Sequence, residues 1–268
     1  MHDTRTLYLD LLKKSLMHAL YPEPDMAEWM QSGTIKDRLL RLMIPSNARL
    51  FIPGDETTRL QGEDWPQLAL TMIGAARLDN IQHCVETVLK ESIPGDFIET
   101  GVWRGGACIF MRGLLSAWGV HDRSVFVADS FAGLPLPDKD LYPADRGSML
   151  HEIRNLSVSV DQVRANFQRY GLLDDQVRFL AGWFKDTLPS APLEKLAVVR
   201  LDGDMYESTM DGLVNLYPKL SPGGFLIVDD YLLIPAYRQA VDDYRVTHGI
   251  REEICPVDWT AVYWRREG

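Results

Sequence analysis

The stretch FIETGVWRGG, residues 97–106, decides the fold. It passes from an apolar segment through an acid into a loop with three glycines, and the helical pattern GACIFMRGLLSAW (106–118) follows at once. A short strand, a glycine turn and a helix in this order are typical of parallel α/β sheets. The loop has the form ExGxxxG, which differs from the GxGxxG of dinucleotide-binding proteins, and a Walker GK[ST] is missing. A phosphate group is therefore not the expected ligand of this turn.

Strand and helix patterns alternate along the rest of the chain. The predicted strands after the first are SVFVAD (124–129), VRFLAG (177–182), LAVVRLD (196–202) and FLIVDD (225–230). The predicted helices between and after them are 159–171, 207–220 and 235–249. Such alternation predicts right-handed βαβ units in a doubly wound, mostly parallel sheet. The last segment, REEICPVDWTAVYWRR (251–266), predicts two strands around a turn and an antiparallel edge.

The first part of the chain has a different character from this core. Leucines at helical spacing, from Leu7 to Leu20, predict an amphipathic helix that ends at Pro22 and Pro24, and residues 65–91 predict one or two further helices. We interpret residues 1–93 as an N-terminal helical cap packed on a core of residues 94–268, with a lid insertion at 135–156. No linker divides the chain into comparable halves.

Composition excludes several functional classes. A net charge of −10 argues against nucleic acid as a main partner, since no basic stripe is present to displace counterions. No apolar run reaches the roughly 20 residues of a membrane span, and the N-terminus lacks the pattern of a signal peptide, so a cytoplasmic location is expected. The three cysteines are far apart and predict buried free thiols, and the histidines have no metal-binding spacing.

Polar residues end four of the five predicted parallel strands and Gly182 ends the third, so these residues should meet at one edge of the sheet. Glu99, two residues before the first glycine, would repel a pyrophosphate but suits a cationic amino group, and this favours S-adenosylmethionine. Asp129 ends the second strand and is expected to accept hydrogen bonds from the ribose hydroxyls. Adenine should then lie near Gly182, Trp183 and Phe184, where an aromatic ring can stack on it. The alternative is that these are ordinary turns whose acids cap the next helix.

A second group of acids lies at the ends of the fourth and fifth strands. If these strands are neighbours, Asp202, Asp229 and Asp230 lie close together, and like-charge repulsion would raise their pKa values unless a cation were present. Oxygen ligands without nearby His or Cys favour Mg²⁺ over zinc. The alternatives are that Asp229 and Asp230 cap a helix and that Asp202 holds a turn. Asp204 is interpreted as a helix cap or a turn residue.

Long blocks of the sequence resemble the macrocin O-methyltransferase family, bacterial enzymes that methylate deoxysugar hydroxyls of macrolides and aminocoumarins. The blocks include DWPQLALTMIG (64–74), PGDFIETGVWRGGACIFMRGLL (94–115), VADSFAGLP (127–135), RLDGDMYESTMDGL (200–213) and LYPKLSPGGFLIVDDY (216–231). The resemblance implies a class I S-adenosylmethionine-dependent methyltransferase with a seven-stranded sheet and dependence on Mg²⁺. It also implies that Asp202, Asp229 and Asp230 bind the metal and that Asp202 is the general base.

The resemblance assigns further residues to the site. Thr71 and Met72 belong to a cap over the cofactor, and Trp65 stands where family members have a tyrosine of the sugar pocket, which Met72 also borders. Ser159 is either a cofactor contact or a plain N-cap. The remaining cofactor contacts are Glu99, Gly101, Arg104, Asp129, Ser130 and Phe131.

The predicted function is Mg²⁺-dependent methyl transfer from S-adenosylmethionine to a sugar hydroxyl of a glycosylated natural product, by a homo-oligomeric enzyme. One alternative is a metal-dependent nucleotide-sugar glycosyltransferase, because DGD (202–204) imitates the DxD that holds a metal and a diphosphate. Another is a non-catalytic binding protein with a methyltransferase fold. Neither alternative explains why Glu99 precedes the glycines while acids end the strands.

Overall fold

The structure is a computed structural model, which describes residues 3–21, 25–28, 45 and 51–268. Those parts of the predicted cap that fall on residues 1–2, 22–24, 29–44 and 46–50 lie outside the described residues. The proposed division at residue 93 stays a prediction.

The core is a mixed sheet with seven strands in the described part of the chain. A separate antiparallel pair is formed by β1 (Met26–Glu28) and β2 (Phe51–Pro53). The main sheet contains β3 (Asp96–Thr100), β4 (Val125–Asp129), β5 (Val177–Ala181), β6 (Leu196–Leu201), β7 (Leu220–Val228), β8 (Cys255–Pro256) and β9 (Val262–Arg265). Its order is β5-β4-β3-β6-β7-β9-β8. The strand order reverses beside β3, so the connections that leave β3 and β6 diverge and open a crevice there.

The predicted topology is confirmed. Strands β3 to β7 pair in parallel, and β9 pairs antiparallel with both β7 and β8. The start of β7 was predicted too late, at residue 225, because Pro222 and the two glycines after it are more typical of turns. The register shift between Leu196 and Val198 lets the strand continue through this segment.

Helices cover both faces of the sheet, as a doubly wound fold requires. They are α1 (Thr4–Leu16), α2 (Glu56–Gln61), α3 (Ala75–Lys90), α4 (Gly106–Ala117), α5 (Val160–Arg169), α6 (Phe184–Thr187), α7 (Tyr206–Leu216) and α8 (Pro235–His248). Helices α1, α3 and α4 pack into one hydrophobic cluster with strand residues such as Phe97 and Val127. Helices α7 and α8 pack into a second cluster on the opposite face.

The first helix differs from its prediction. It ends at Leu16, before the prolines, where the N–H of Met17 bonds back to Lys13 O. Leu12 and Leu16 are buried as expected, whereas Leu7 and Leu11 are exposed. The buried stripe therefore runs through Leu9, Leu12 and Leu16, because α1 packs on α4 along that line.

Two other expectations from the sequence can be compared with the structure. All three cysteines are free; Cys84 and Cys108 are buried as predicted, but Cys255 is half-buried. In the described ranges, the helices are too short or too polar to cross a lipid bilayer.

Candidate active site

The glycine loop after β3 lies directly against the end of β6. Gly101 has a positive φ of 82°, and a Cβ at this position would lie 1.8 Å from the carbonyl oxygen of Asp202. Since a side chain cannot occupy that space, glycine is required for the loop and the acid to approach each other. The N–H of Asp202 donates to Thr100 O at 2.9 Å, which completes the junction. The sequence feature that suggested a ligand thus also serves to bring Asp202 to the loop.

A cavity of about 270 Å³ opens above this junction. Twelve of the predicted site residues line it: Trp65, Thr71, Met72, Glu99, Gly101, Asp129, Ser130, Trp183, Phe184, Asp202, Asp229 and Asp230. The other four, Arg104, Phe131, Ser159 and Gly182, are not among its lining residues. The convergence of the strand ends is therefore observed, while the binding role of each residue stays a prediction.

Two predicted cofactor residues have structural partners instead. The guanidinium of Arg104 donates to the carbonyl oxygens of Gln67 and Ala69, both at 2.8 Å. Ser159 is the N-cap of α5, and its hydroxyl accepts from the N–H of Gln162 at 3.3 Å. The plain N-cap alternative for Ser159 is therefore observed.

The segment over the cavity, residues 64–74, is held by buried charges. Asp25 accepts from three consecutive backbone N–H groups, those of Gln67, Leu68 and Ala69. Arg59 pairs with Asp64 at 2.8 Å and donates to the carbonyl of Met72 at 2.6 Å. Because its backbone groups are bonded to these side chains, the segment keeps a fixed non-helical path, and α3 begins at Ala75 rather than near residue 65.

On the glycine-loop side of the cavity, the acids bond to the protein itself. Glu99 forms a buried ion pair with Arg200 and accepts from the thiol of Cys108 at 2.9 Å. Asp129 accepts from the N–H of Val102 at 2.8 Å and from that of Phe131 at 2.7 Å. Burial raises the pKa of Asp129, and these two donors act in the opposite direction. The hydroxyl of Ser130 is a further donor to Asp129, at 3.4 Å.

On the other side, three carboxylates lie close together, and Arg200 pairs with one of them, Asp202. Oxygens of Asp202, Asp204 and Asp230 lie within 4.8 Å of one another. Burial and the nearby charge of Asp202 raise the pKa of Asp204 to about 7. Burial and Asp229 raise the pKa values of Asp202 and Asp230 well above the ordinary range. The cost of placing these charges together would be offset by a cation, and a set of carboxylate oxygens fits a hard divalent ion such as Mg²⁺.

Asp229 differs from its predicted neighbours because two arginines hold it. Arg77 of α3 donates to one oxygen at 2.6 Å, and Arg200 of β6 approaches the other at 2.5 Å. Although burial opposes ionisation, these positive charges lower the pKa of Asp229. Arg200 also bonds to Asp202 at 2.9 Å, and Arg77 bonds to Asp258 at 2.7 Å. A continuous ionic network thus joins the cap helix to the acids of the sheet edge.

The helix-cap alternatives for the acids are wrong. The residue that caps α8 is Ile234, so neither Asp229 nor Asp230 does so. Asp204 precedes the capping position of α7, which is Met205, and it has a positive φ of 60°. Its carboxylate instead lies within hydrogen-bonding reach of Asp230.

Comparison with known proteins identifies the family of this chain. Residues 5–266 match the sequence profile of the family described as macrocin-O-methyltransferase (TylF). This chain belongs to the macrocin-O-methyltransferase family. The resemblance found in the sequence blocks is therefore confirmed.

Individual relatives cover almost the whole chain. The 8-demethyl-8-(2,3-dimethoxy-alpha-L-rhamnosyl)-tetracenomycin-C 4'-O-methyltransferase of Streptomyces olivaceus is 53% identical, over 98% of this chain and 94% of the relative. The mycinamicin III 3''-O-methyltransferase of Micromonospora griseorubida is 52% identical, over 97% and 96%. The solved structure of the O-methyltransferase NovP superposes with a TM-score of 0.85 at 50% identity, over 98% of this chain and all of that one.

Membership of the macrocin-O-methyltransferase family makes the chain an O-methyltransferase with the class I methyltransferase fold. Sequence reasoning missed the cavity arginines Arg77 and Arg200, and it interpreted Asp204 as a cap or turn residue rather than as part of the acid cluster. Arg200 had a visible signal, since a charged residue inside the apolar run LAVVRL must be paired when that strand is buried. Arg77 had no such signal in the sequence, because its partner Asp229 is 152 residues away.

Proposed function

We propose that this methyltransferase transfers the methyl group of S-adenosylmethionine to a hydroxyl of a deoxysugar on a glycosylated natural product, with Mg²⁺ as cofactor. The observation that carries the proposal is the division of one cavity into a glycine-loop side and a side with three clustered carboxylates. Of the relatives named above, one acts, by its name, on a rhamnosyl-tetracenomycin and the other on mycinamicin III.

The donor would bind on the glycine-loop side. There Gly101 and Asp129 line the cavity, and an acid at the end of the second strand, such as Asp129, would accept from the ribose hydroxyls. Trp183 and Phe184 border the same cavity and present aromatic surface that can stack on adenine. Glu99 bonds to Arg200 and Cys108, so we propose that it stabilises the loop and adds negative potential toward a sulfonium donor.

Mg²⁺ would be held by Asp202 and Asp230, the two acids shared by the predicted metal site and the observed cluster. The resemblance implies Asp229 as the third ligand, whereas the cluster contains Asp204. When bound, such an ion lowers the pKa of a coordinated hydroxyl and favours its attack on a methyl group.

The chain's own residues would then orient the acceptor and take its proton. The acceptor oxygen forms its bond to the methyl carbon as the carbon–sulfur bond breaks, and Asp202 receives the hydroxyl proton. Arg200 contacts one oxygen of Asp202 at 2.9 Å, and the other oxygen would accept the proton. Trp65 and Met72, in the fixed segment over the cavity, would border the sugar and exclude water.

A turnover assay tests the proposal. Purified enzyme is incubated with S-adenosylmethionine and a panel of rhamnosylated and related deoxysugar glycosides, with Mg²⁺ and with a chelator. We expect a product heavier by one methylene unit, formed with Mg²⁺ and lost with the chelator.

Binding of a nucleotide tests the glycosyltransferase alternative. Calorimetric binding of S-adenosylhomocysteine without binding of UDP supports methyl transfer. Turnover that is indifferent to chelator would remove the metal from the proposal while leaving the donor in place.

A further inference from the structure

Asp145 is a buried acid in an otherwise largely exposed segment. It ends a short 3₁₀ turn, Pro143–Asp145, inside the predicted lid, and its relative exposure is 1%. The adjoining Arg146 and Gly147 are exposed. Burying an ionisable side chain in such a segment is unfavourable unless it has strong partners.

The partners of Asp145 are the first two N–H groups of α7. One carboxylate oxygen accepts from Tyr206 N at 2.7 Å, and the other accepts from Glu207 N at 3.1 Å. The capping residue of α7 is Met205, which has no side-chain oxygen to offer. Asp145 therefore caps α7 from a segment 61 residues earlier in the chain, and its charge is favourable at the positive end of that helix.

The capped end of α7 follows the acid loop without a break. Asp202 is fixed at the end of β6 by its bond to Thr100, and Tyr206 is fixed by Asp145. Between these two points, Asp204 has a positive φ of 60°. Non-glycine residues adopt this conformation when the surrounding structure holds them in it. Asp145 thus supplies one of the two attachments that determine where Asp204 lies.

The same segment is attached to the other side of the cavity near residue 155. The indole of Trp103, in the glycine loop, donates to the carbonyl oxygen of Asn155 at 2.8 Å. Near the Asp145 end, the ring of Tyr142 packs on that of Tyr206 with centroids 6.1 Å apart. The lid is therefore attached both to the glycine loop and to the start of α7.

We propose that Asp145 is a positioning residue for methyl transfer, which fixes the 202–205 loop and the lid together by capping α7. This inference rests on the proposed function for its consequence in turnover. Its structural part, the coupling of the lid to the acid loop, does not depend on which acceptor is methylated.

The test compares Asp145→Ala, Asp145→Asn and the control Asp140→Ala. Asp140 is an exposed acid of the same lid whose side chain has no partner among the described residues. In Asp145→Ala, we expect amide hydrogen exchange in a peptide spanning 202–208 to become roughly tenfold faster, the effect of losing one strong cap. Asp145→Asn retains one acceptor oxygen and should give an intermediate rate, while Asp140→Ala should match the wild type.

Two functional readouts separate positioning from general destabilisation. Asp145→Ala should lower kcat and raise the acceptor KM, while S-adenosylhomocysteine affinity stays within about threefold of wild type, since the donor side is attached through Trp103. The inference would be overturned if the amide exchange rate of the 202–208 peptide in Asp145→Ala equalled that of the wild type. It would also be overturned if Asp140→Ala accelerated this exchange as much as Asp145→Ala does. If Asp145→Ala does not fold, the exchange rate of Asp145→Asn decides in the same way. Absence of any methyl transfer by the wild type refutes the proposed function and leaves the exchange result to decide the coupling.

Discussion

Carboxylates line both sides of the cavity, but the two sides differ in the partners that these carboxylates have. On the glycine-loop side, Glu99 and Asp129 each have donors within the protein on both carboxylate oxygens. On the other side, Asp204 and Asp230 form no ion pair with a described basic residue and lie close to Asp202 instead. All five acids lie at or just after the carboxyl ends of parallel strands, at one edge of the sheet.

This difference separates acids that build a site from acids that need a ligand. A buried carboxylate with hydrogen-bond donors on both oxygens is stable without a ligand, and it shapes the pocket even when no ligand is bound. A group of carboxylates without such donors is unfavourable until a proton or a cation joins it. The predictions below alter one side at a time.

Asp202→Asn should have the largest effect on activity. The amide keeps a similar shape and can still contact Arg200, but it cannot take a proton from the acceptor. We expect kcat to fall about 10³-fold with little change in S-adenosylhomocysteine affinity. Steady-state kinetics and calorimetry measure the two quantities.

The exposed Asp175, in the turn before β5, gives the matched control, and Asp175→Asn should be as active as the wild type. A kcat for Asp202→Asn within a few-fold of wild type would show that another group accepts the proton.

Gly101→Ala should have the largest effect on stability, because it pushes the glycine loop away from Asp202. A Cβ 1.8 Å from a backbone oxygen cannot be accommodated by a side-chain movement. We expect a loss of about 3 kcal/mol or more in the free energy of unfolding, from backbone displacement added to the strain of positive φ. Urea unfolding followed by circular dichroism measures it.

Gly119→Ala isolates the contribution of φ alone. Gly119 has a φ of 65° but no atom within 4 Å of the position of its Cβ. Its substitution should cost about 1 kcal/mol. Equal losses in the two variants would mean that the close approach to Asp202 contributes nothing.

The sequence was sufficient for the sheet because each strand has a local signal. β3 to β7 are apolar runs followed by polar turns, and the parallel order follows from the helices between them. The cap was harder to predict. Residues 65–74 have a helix-like composition, but Asp25, Arg59 and Arg104 bind their backbone groups in a non-helical path, and no local pattern records those long-range bonds.

The same limit applies to the acids. Their convergence follows from the topology, so it could be predicted from the strand ends. Which acid pairs with an arginine depends on contacts between distant elements, such as Arg77 with Asp229. Asp204 was interpreted as a cap because DGD precedes a helix, yet the capping group comes from Asp145 in another part of the chain.

The third ligand of the cation can be identified from the Mn²⁺ affinities of two variants, Asp204→Asn and Asp229→Asn. If the observed cluster binds the ion, Asp204→Asn should weaken Mn²⁺ binding, followed by electron paramagnetic resonance, about 100-fold, and Asp229→Asn should weaken it less. Asp229→Asn should instead lower the free energy of unfolding by about 3 kcal/mol, since it removes the buried negative charge that lies between Arg77 and Arg200. The reverse pattern in Mn²⁺ affinity would assign the ligand role to Asp229.

Asp211→Asn should have the smallest effect, and it extends the comparison to an acid outside the cluster. Asp211 lines the cavity on α7, where burial and the nearby Glu207 raise its pKa from 3.8 to about 6. Because the folded protein holds this proton more tightly than the unfolded chain, the carboxylate begins to destabilise the fold as the pH rises from about 4 toward 6, and the cost persists above that. The group is half exposed, so solvent screening reduces the cost to about 1 kcal/mol.

Asp211→Asn should therefore stabilise the protein by about that amount at pH 7.5 and by clearly less at pH 4, as measured by urea unfolding at both values. A gain of the same size at both pH values would show that the effect comes from packing. It would also show that an unpaired acid on this side of the cavity does not destabilise the fold.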